Sequence, residues 1–153
     1  SSYVSKVYAL ITKYGLAKYD LAITATLTKG ATGAKVTALQ NLLVKAGMSV
    51  QVTGSYDTQT VTAVQAYQAT ATLPATGTAD PLTLTRLTPD VLAGAKGTQV
   101  TALQALVKRL KYPVNTSTTY AGTTLASVKK LQKSHGLKGT GGVSTRTWGI
   151  LFG

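Results

Sequence analysis

Val36-Thr37-Ala38-Leu39-Gln40 returns as Val100-Thr101-Ala102-Leu103-Gln104, a shift of 64 residues. Applied without a gap, that shift lays 27–89 on 91–153 and makes 19 of 63 positions identical, from Gly30/Gly94 to Leu87/Leu151. Agreement over such a length is a true period, so the chain contains two copies of one small unit. The quoted stretch belongs to a helix in each copy. Val36, Leu39, Leu42, Leu43 and Ala46, then Val100, Leu103, Leu106, Val107 and Leu110, fall on one broad stripe at helical spacing.

Outward from this helix, the rest of the unit follows. A Gly-x-x-Gly pair, Gly30/Gly33 or Gly94/Gly97, stands before it. Gly47 ends the first copy of the helix, while the second is expected to run to Lys111 before Pro113. Thr-rich passages, Val50 to Tyr56 and Val114 to Tyr120, are expected to be extended and turn-like. A second helix starts near Asp57 and carries Val61, Val64, Tyr67 and Gln68, matched by Leu125, Val128, Leu131 and Gln132. Asp57 is a natural N-cap, because its carboxylate accepts from free first-turn amides; its counterpart, Ala121-Gly122, loses that cap. A third, short helix opens at Asp80-Pro81, an Asp cap with Pro in the first turn, and Ser144 is expected to take the cap in the second copy. Leu84 and Leu87, then Trp148, Leu151 and Phe152, are its apolar positions.

The expected fold is all-α: two tandem three-helix modules, 27–89 and 90–153, with short extended turns. Residues 1–26 are expected to add an N-terminal helix and linker, since Tyr3, Val7, Leu10, Ile11 and Tyr14 keep helical spacing. This segment reads either as a degenerate half-copy of the repeat or as an unrelated helix covering the first module. Units of roughly 60 residues are near the lower limit for independent folding, so each is expected to lean on its neighbour.

Composition narrows the function. With no cysteine, neither disulfides nor thiolate metal sites are available. No apolar run approaches the roughly 20 residues of a membrane span. The start at Ser-Ser-Tyr, without an initiator Met or an apolar leader, fits a processed secreted protein or a trimmed chain equally well. The net charge is +12, and residues 91–153 carry nine basic groups and no acid. Such a surface attracts polyanions, whether nucleic acid, anionic lipid or an anionic wall polymer.

Catalysis finds few residues to use. The chain has no Glu and four Asp, so a glycosidase carboxylate pair would need a raised-pKa Asp as its general acid, and Asp57 and Asp80 already have cap roles. A zinc site needs three or more ligands, and His135, the single histidine, reads as a cap or surface group. Ser127-Val128-Lys129-Lys130 matches the Ser-x-x-Lys signature of serine acyltransferases, but it lies inside a helix with no companion motif. The reading is a non-enzyme without cofactor or metal.

The order Leu27, Gly30, Gly33, Val36, Leu39-Gln40, then Gly54, Tyr56, Thr60, Val64, Tyr67-Gln68, then Leu73, Gly77, Thr83 and Leu87 resembles the peptidoglycan-binding domain type 1 pattern. The second copy repeats it with Gly94, Gly97, Val100, Leu103-Gln104, Tyr120, Thr124, Val128, Leu131-Gln132, Leu137, Gly141, Thr147-Trp148 and Leu151. It departs at Thr118, where the pattern has Gly, at Leu131, where it has an aromatic, and in the loop at Lys138 and Gly139. The resemblance implies a compact three-helix module, of the kind appended to bacterial cell-wall hydrolases, that holds an enzyme on its polymer. Matrix metalloprotease pro-domains share this helical fold, which makes a secreted protein-interaction or inhibitory module the second reading; their latency uses a cysteine that this chain lacks.

Muropeptides offer N-acetyl sugars, amides and carboxylates, so a site needs aromatic faces and nearby hydrogen-bonding groups. Tyr56, Asp57, Thr60, Asp80 and Thr83 are the candidate ligand contacts of the first copy; Tyr120, Thr124, Arg146 and Trp148 are those of the second, with Arg146 suited to a peptide carboxylate. The competing assignment is packing for Tyr56 and Trp148 and first-turn support for Thr60 and Thr83. Gln40, Gln68, Gln104 and Gln132 are expected to tie down loop backbone. The partners expected are peptidoglycan or muropeptides at an extracellular or cell-wall location, with anionic wall polymers and then a secreted protein as further partners. Nucleic acid ranks last, because no helix shows a reading motif.

Overall fold

Helix α1 (Ala34–Lys45) starts where Gly33, at φ 111, turns the chain in a conformation that a Cβ would oppose. The computed structural model describes residues 22–153. It adds α2 (Thr58–Thr70) and α3 (Pro81–Leu87), then α4 (Thr98–Arg109), α5 (Gly122–Ser134) and α6 (Thr145–Phe152). Six helices in two matching sets, with no named strand among the described residues, make the chain all-α. The helix predicted over Tyr3 to Tyr14 lies outside the described residues.

The period found in the sequence is a period of structure. Isolated backbone bridges join Leu27 to Ala79 and Thr32 to Ser55, and the same bridges return as Val91 to Val143 and Lys96 to Thr119. These short pairings close each set of three helices into a unit, and the Thr-rich passages between them form no ladder of their own. The stripe is core: Val36, Leu39, Leu42 and Leu43 are buried, as are Val100, Leu103, Leu106 and Val107. Ala46 leaves the stripe to stand exposed as the C-cap of α1.

Both first helices are also buried beyond the stripe, at Ala38 and Ala102, because α1 and α4 pack against each other in the most extensive helix–helix contact of the described residues. A helix wrapped on two sides needs apolar residues on both. One contiguous cluster of buried side chains therefore runs through both copies. The backbone before the first copy joins in: a Cβ on Gly149 of α6 would lie 2.1 Å from the Ala22 carbonyl oxygen, and neighbouring Ile23 is fully buried. Trp148 donates its indole N–H to Pro89 O at 2.7 Å. Arg109, half-buried, donates to Leu151 O at 2.8 Å and Gly153 O at 2.7 Å, satisfying carbonyls that the end of α6 leaves free.

Two expectations are corrected. Helix α4 ends at Arg109 rather than Lys111, because Leu110 caps it and Lys111 turns the chain at φ 70. Ser144 occupies the N-cap position of α6, yet its side chain makes no capping hydrogen bond, unlike that of Asp80.

Candidate functional site

Each copy is held by glutamines that reach from a helix to the following loop. Gln40 Oε1 accepts from Thr53 N and Gly54 N, both at 2.9 Å, and its Nε2 donates to Ser55 O at 3.0 Å and to Thr60 Oγ1 at 3.0 Å. Gln68 does the same one loop later, accepting from Gly77 N at 3.0 Å and donating to Thr78 O at 2.9 Å and Thr83 Oγ1 at 3.0 Å. Gln132 copies Gln68 with Gly141 N, Gly142 O and Thr147 Oγ1. The expected backbone role of these glutamines is what the structure contains.

The candidate aromatics lie inside this frame. Tyr56 is 2 % exposed and Tyr120 and Trp148 are 0 % exposed. Tyr56 donates its hydroxyl to Gly77 O, and Tyr120 to Gly141 O at 2.6 Å, so each pins the loop before the third helix. Burial pushes the Tyr56 phenol up to about 12, and that of Tyr120 upward as well. Trp148 packs beside Phe152 with ring centroids 6.2 Å apart. No face of these three rings is open for a sugar to stack on.

Thr60, Thr83 and Thr124 are likewise buried, in the first turns of α2, α3 and α5. Asp80, 7 % exposed, accepts from Thr83 N at 2.7 Å. Asp57 is exposed and accepts from both Thr60 N and Thr60 Oγ1 at 3.0 Å. The Thr60 backbone N–H, with its hydroxyl, holds the Asp57 carboxyl below its ordinary value. Arg146, on the first turn of α6, is exposed. Thus Thr60 joins the loop frame held by Gln40, Thr83 and its cap Asp80 join the loop frame held by Gln68, and Tyr56 bonds to the second of these at Gly77 O, while Asp57 and Arg146 are the solvent-facing members of the predicted set.

The second copy rebuilds the frame differently. Ala121 offers no cap, and Asn115, where the first copy has Gln51, instead takes the Thr124 hydroxyl on its side-chain oxygen. Gln104 reaches Ser117 O at 2.7 Å and Thr124 Oγ1 at 3.5 Å.

Several groups that catalysis could use already have backbone partners. A general acid needs a raised carboxyl, and Asp57 is shifted the other way. Ser127, 3 % exposed, donates to Pro113 O, so its hydroxyl proton is spent on backbone. His135 is the C-cap of α5, with Nδ1 2.9 Å from Leu131 O; the carbonyl can only accept, so Nδ1 donates. Among the described residues no three of His, Cys, Asp and Glu come together, and no helix is long and apolar enough to cross a membrane.

Sequence reasoning also missed a feature. Two clefts open in the second copy on either side of Tyr112, a residue marked by no motif. The one available signal was that Tyr112 replaces Met48 of the first copy.

Comparison with known proteins agrees with the repeat. The family described as "Putative peptidoglycan binding domain" matches twice, at residues 32–87 and 96–151. No curated protein matches the chain. Among solved structures, the chain is similar to a Burkholderia AP3 phage endolysin, at 30% identity and a TM-score of 0.41, over 71% of this chain and 38% of that one. The chain thus spans well under half the length of that endolysin. With both copies matched over well more than half of its length, the chain belongs to the peptidoglycan-binding domain family, as a tandem pair.

Proposed function

We propose that the two modules, 27–89 and 90–153, bind bacterial cell-wall peptidoglycan without cutting it, at an extracellular or cell-wall location. The observation that carries this reading is the double family match, one in each copy. The non-catalytic part is supported by the use already made of four groups that catalysis could call on. Asp57 and Asp80 cap helices, and Ser127 and His135 are bonded to backbone carbonyls.

Ligand contact falls to the exposed rims, where Asp57 meets amide or hydroxyl donors and Arg146 meets a peptide carboxylate. Tyr56, Thr60, Asp80, Thr83, Tyr120, Thr124 and Trp148 hold the loops that shape those rims. Exposed Lys108, Lys111, Lys129, Lys130 and Lys133 add attraction to anionic wall polymers, with no acid in 91–153 to offset them. Arg109 is not counted with them, since its guanidinium bonds to carbonyls at the end of α6.

Incubation with purified insoluble peptidoglycan, followed by centrifugation and assay of the supernatant for soluble fragments, tests both parts. Protein in the pellet with no fragments released agrees with the proposal. Released fragments would overturn the non-catalytic part, and protein left in the supernatant would overturn the binding.

A further inference from the structure

The turn that closes α4 departs from its counterpart in a way the shared fold does not require. Lys111 holds a left-handed backbone at φ 70, in the position where Gly47 holds φ 90. That conformation is open to glycine and disfavoured for a side chain with a Cβ, and such strain tends to be kept where the side chain is used. Three further replacements accompany it: Tyr112 for Met48, Thr123 for Gln59, and Lys130 for Ala66. All four of these second-copy residues line one cleft of about 370 Å³ between the turn and α5. The bond from Ser127 to Pro113 O ties the two walls together.

Beyond Tyr112 lies a second cleft of about 430 Å³, lined by Leu110, Leu131, His135 and Ile150. Tyr112 is half-buried, with its hydroxyl 3.4 Å from Ser134 Oγ, and is the wall common to both. Each volume is in the range that takes a small ligand, a sugar ring or a few peptide units. One side therefore offers two ammonium groups and a hydroxyl, the other aliphatic surface, with an aromatic face between them. No acid in 91–153 competes for either ammonium.

We propose that this paired cleft is a second-copy site for the stem peptide of a muropeptide, with Lys111 and Lys130 taking a peptide carboxylate, Tyr112 the adjoining unit, and the aliphatic side an alanine methyl. The inference rests on the peptidoglycan-binding reading above. A stem peptide carries carboxylates and methyl groups together, whereas a polyol-phosphate wall polymer offers charge without aliphatic side chains. The first copy, with Gly47, Met48 and Ala66 in the equivalent positions, lacks the cationic half.

The test is an NMR titration of the whole chain with a soluble disaccharide–tetrapeptide, with its fully amidated form, and with a glycerol-phosphate oligomer. Variants take first-copy residues, Lys111→Gly with Lys130→Ala, and separately Tyr112→Met; thermal melts check that they fold. Saturable shifts at Tyr112 and Thr123 are expected, weakened about tenfold by the double variant and about tenfold by amidation of the ligand. Shifts confined to other residues, equal binding of the amidated form, or stronger binding of the phosphate oligomer would overturn the assignment. Sedimentation of the same proteins with insoluble peptidoglycan separates the two levels. Wild type that stays in solution refutes the peptidoglycan reading, whereas retention of wild type together with unchanged titration of the variants refutes the cleft alone.

Discussion

The side-chain oxygen of Gln40 accepts the Gly54 amide at 2.9 Å, whereas Gln104, one period later, reaches a carbonyl and two side chains and accepts no loop amide. The same letter thus does unequal work. Gln40→Leu strips partners from the amides of Thr53 and Gly54 and from the Thr60 hydroxyl, and is expected to cost about 2–4 kcal/mol. Gln104→Leu should cost about 1 kcal/mol. Urea denaturation of the two variants measures this, and equal losses would contradict the asymmetry.

Asp57 carries an acid sensitivity that the second copy lacks. Its folded carboxyl lies below the ordinary value, so it stabilises the fold at pH above the unfolded value of about 3.9. That contribution is lost as pH falls through the folded value. Asp57→Asn keeps an N-cap that does not titrate and should flatten the acid limb of a stability–pH curve. In the other direction, Ala121→Asp is expected to gain about 1 kcal/mol, because Ala121 already has the extended N-cap backbone. Thermal melts across pH 2–7 (roughly the carboxylate range) read both effects.

Tyr56 governs the alkaline side. Its phenol is raised to about 12 in the fold, against about 10 when unfolded, so the unfolded chain loses its proton first. Stability is whole below pH ~10 and declines as pH climbs toward the folded value. Phenolate absorbance from Tyr56 and Tyr120 should therefore appear together with loss of helix. Tyr56→Phe removes the titration but leaves Gly77 O short of its donor, at a cost of about 1–2 kcal/mol near neutrality.

Gly149 sets two effects against each other. Alanine improves helix propensity by about 1 kcal/mol, but its Cβ would stand 2.1 Å from the Ala22 carbonyl oxygen, which is backbone and must move. The clash should win, with Gly149→Ala destabilising by about 1–3 kcal/mol. The equivalent Thr85→Ala in the first copy should lie within about 0.5 kcal/mol of wild type. Calorimetry of both variants decides, and a raised melting temperature for Gly149→Ala would show that residues 22–23 do not rest on α6.

Much of this was legible in the sequence. The period of 64 marked the helices because Val36, Leu39, Val100 and Leu103 sit at helical spacing, and Asp57 and Asp80 announced two helix starts through side chains suited to bond first-turn amides. The packing of α1 on α4 was not legible, since spacing within a helix says which face is apolar and not which partner covers it. Nor was the burial of Tyr56, Tyr120 and Trp148: an aromatic in a loop or on a short terminal helix suits stacking on a sugar or packing in a core, and only the bonds to Gly77 O, Gly141 O and Pro89 O decide. Tyr112 was not legible either, because it stands opposite Met48 and so belongs to no pattern that the two copies share.

The basic side of the second copy should add long-range attraction and little else. Reversing Lys108, Lys129 and Lys133 to Glu, three exposed positions outside the Tyr112 clefts, should weaken wall binding several-fold at low salt and hardly at all near 1 M salt, where screening acts within about 3 Å. Equal loss at both salts would mean that these lysines make close contacts.

The central claim is that the tandem copies recognise peptidoglycan itself. A binding isotherm on insoluble peptidoglycan stripped of its anionic polymers, at moderate salt, tests it most directly. The expected result is saturable retention that a soluble muropeptide displaces; retention that vanishes with the anionic polymers, or that no muropeptide displaces, would contradict it.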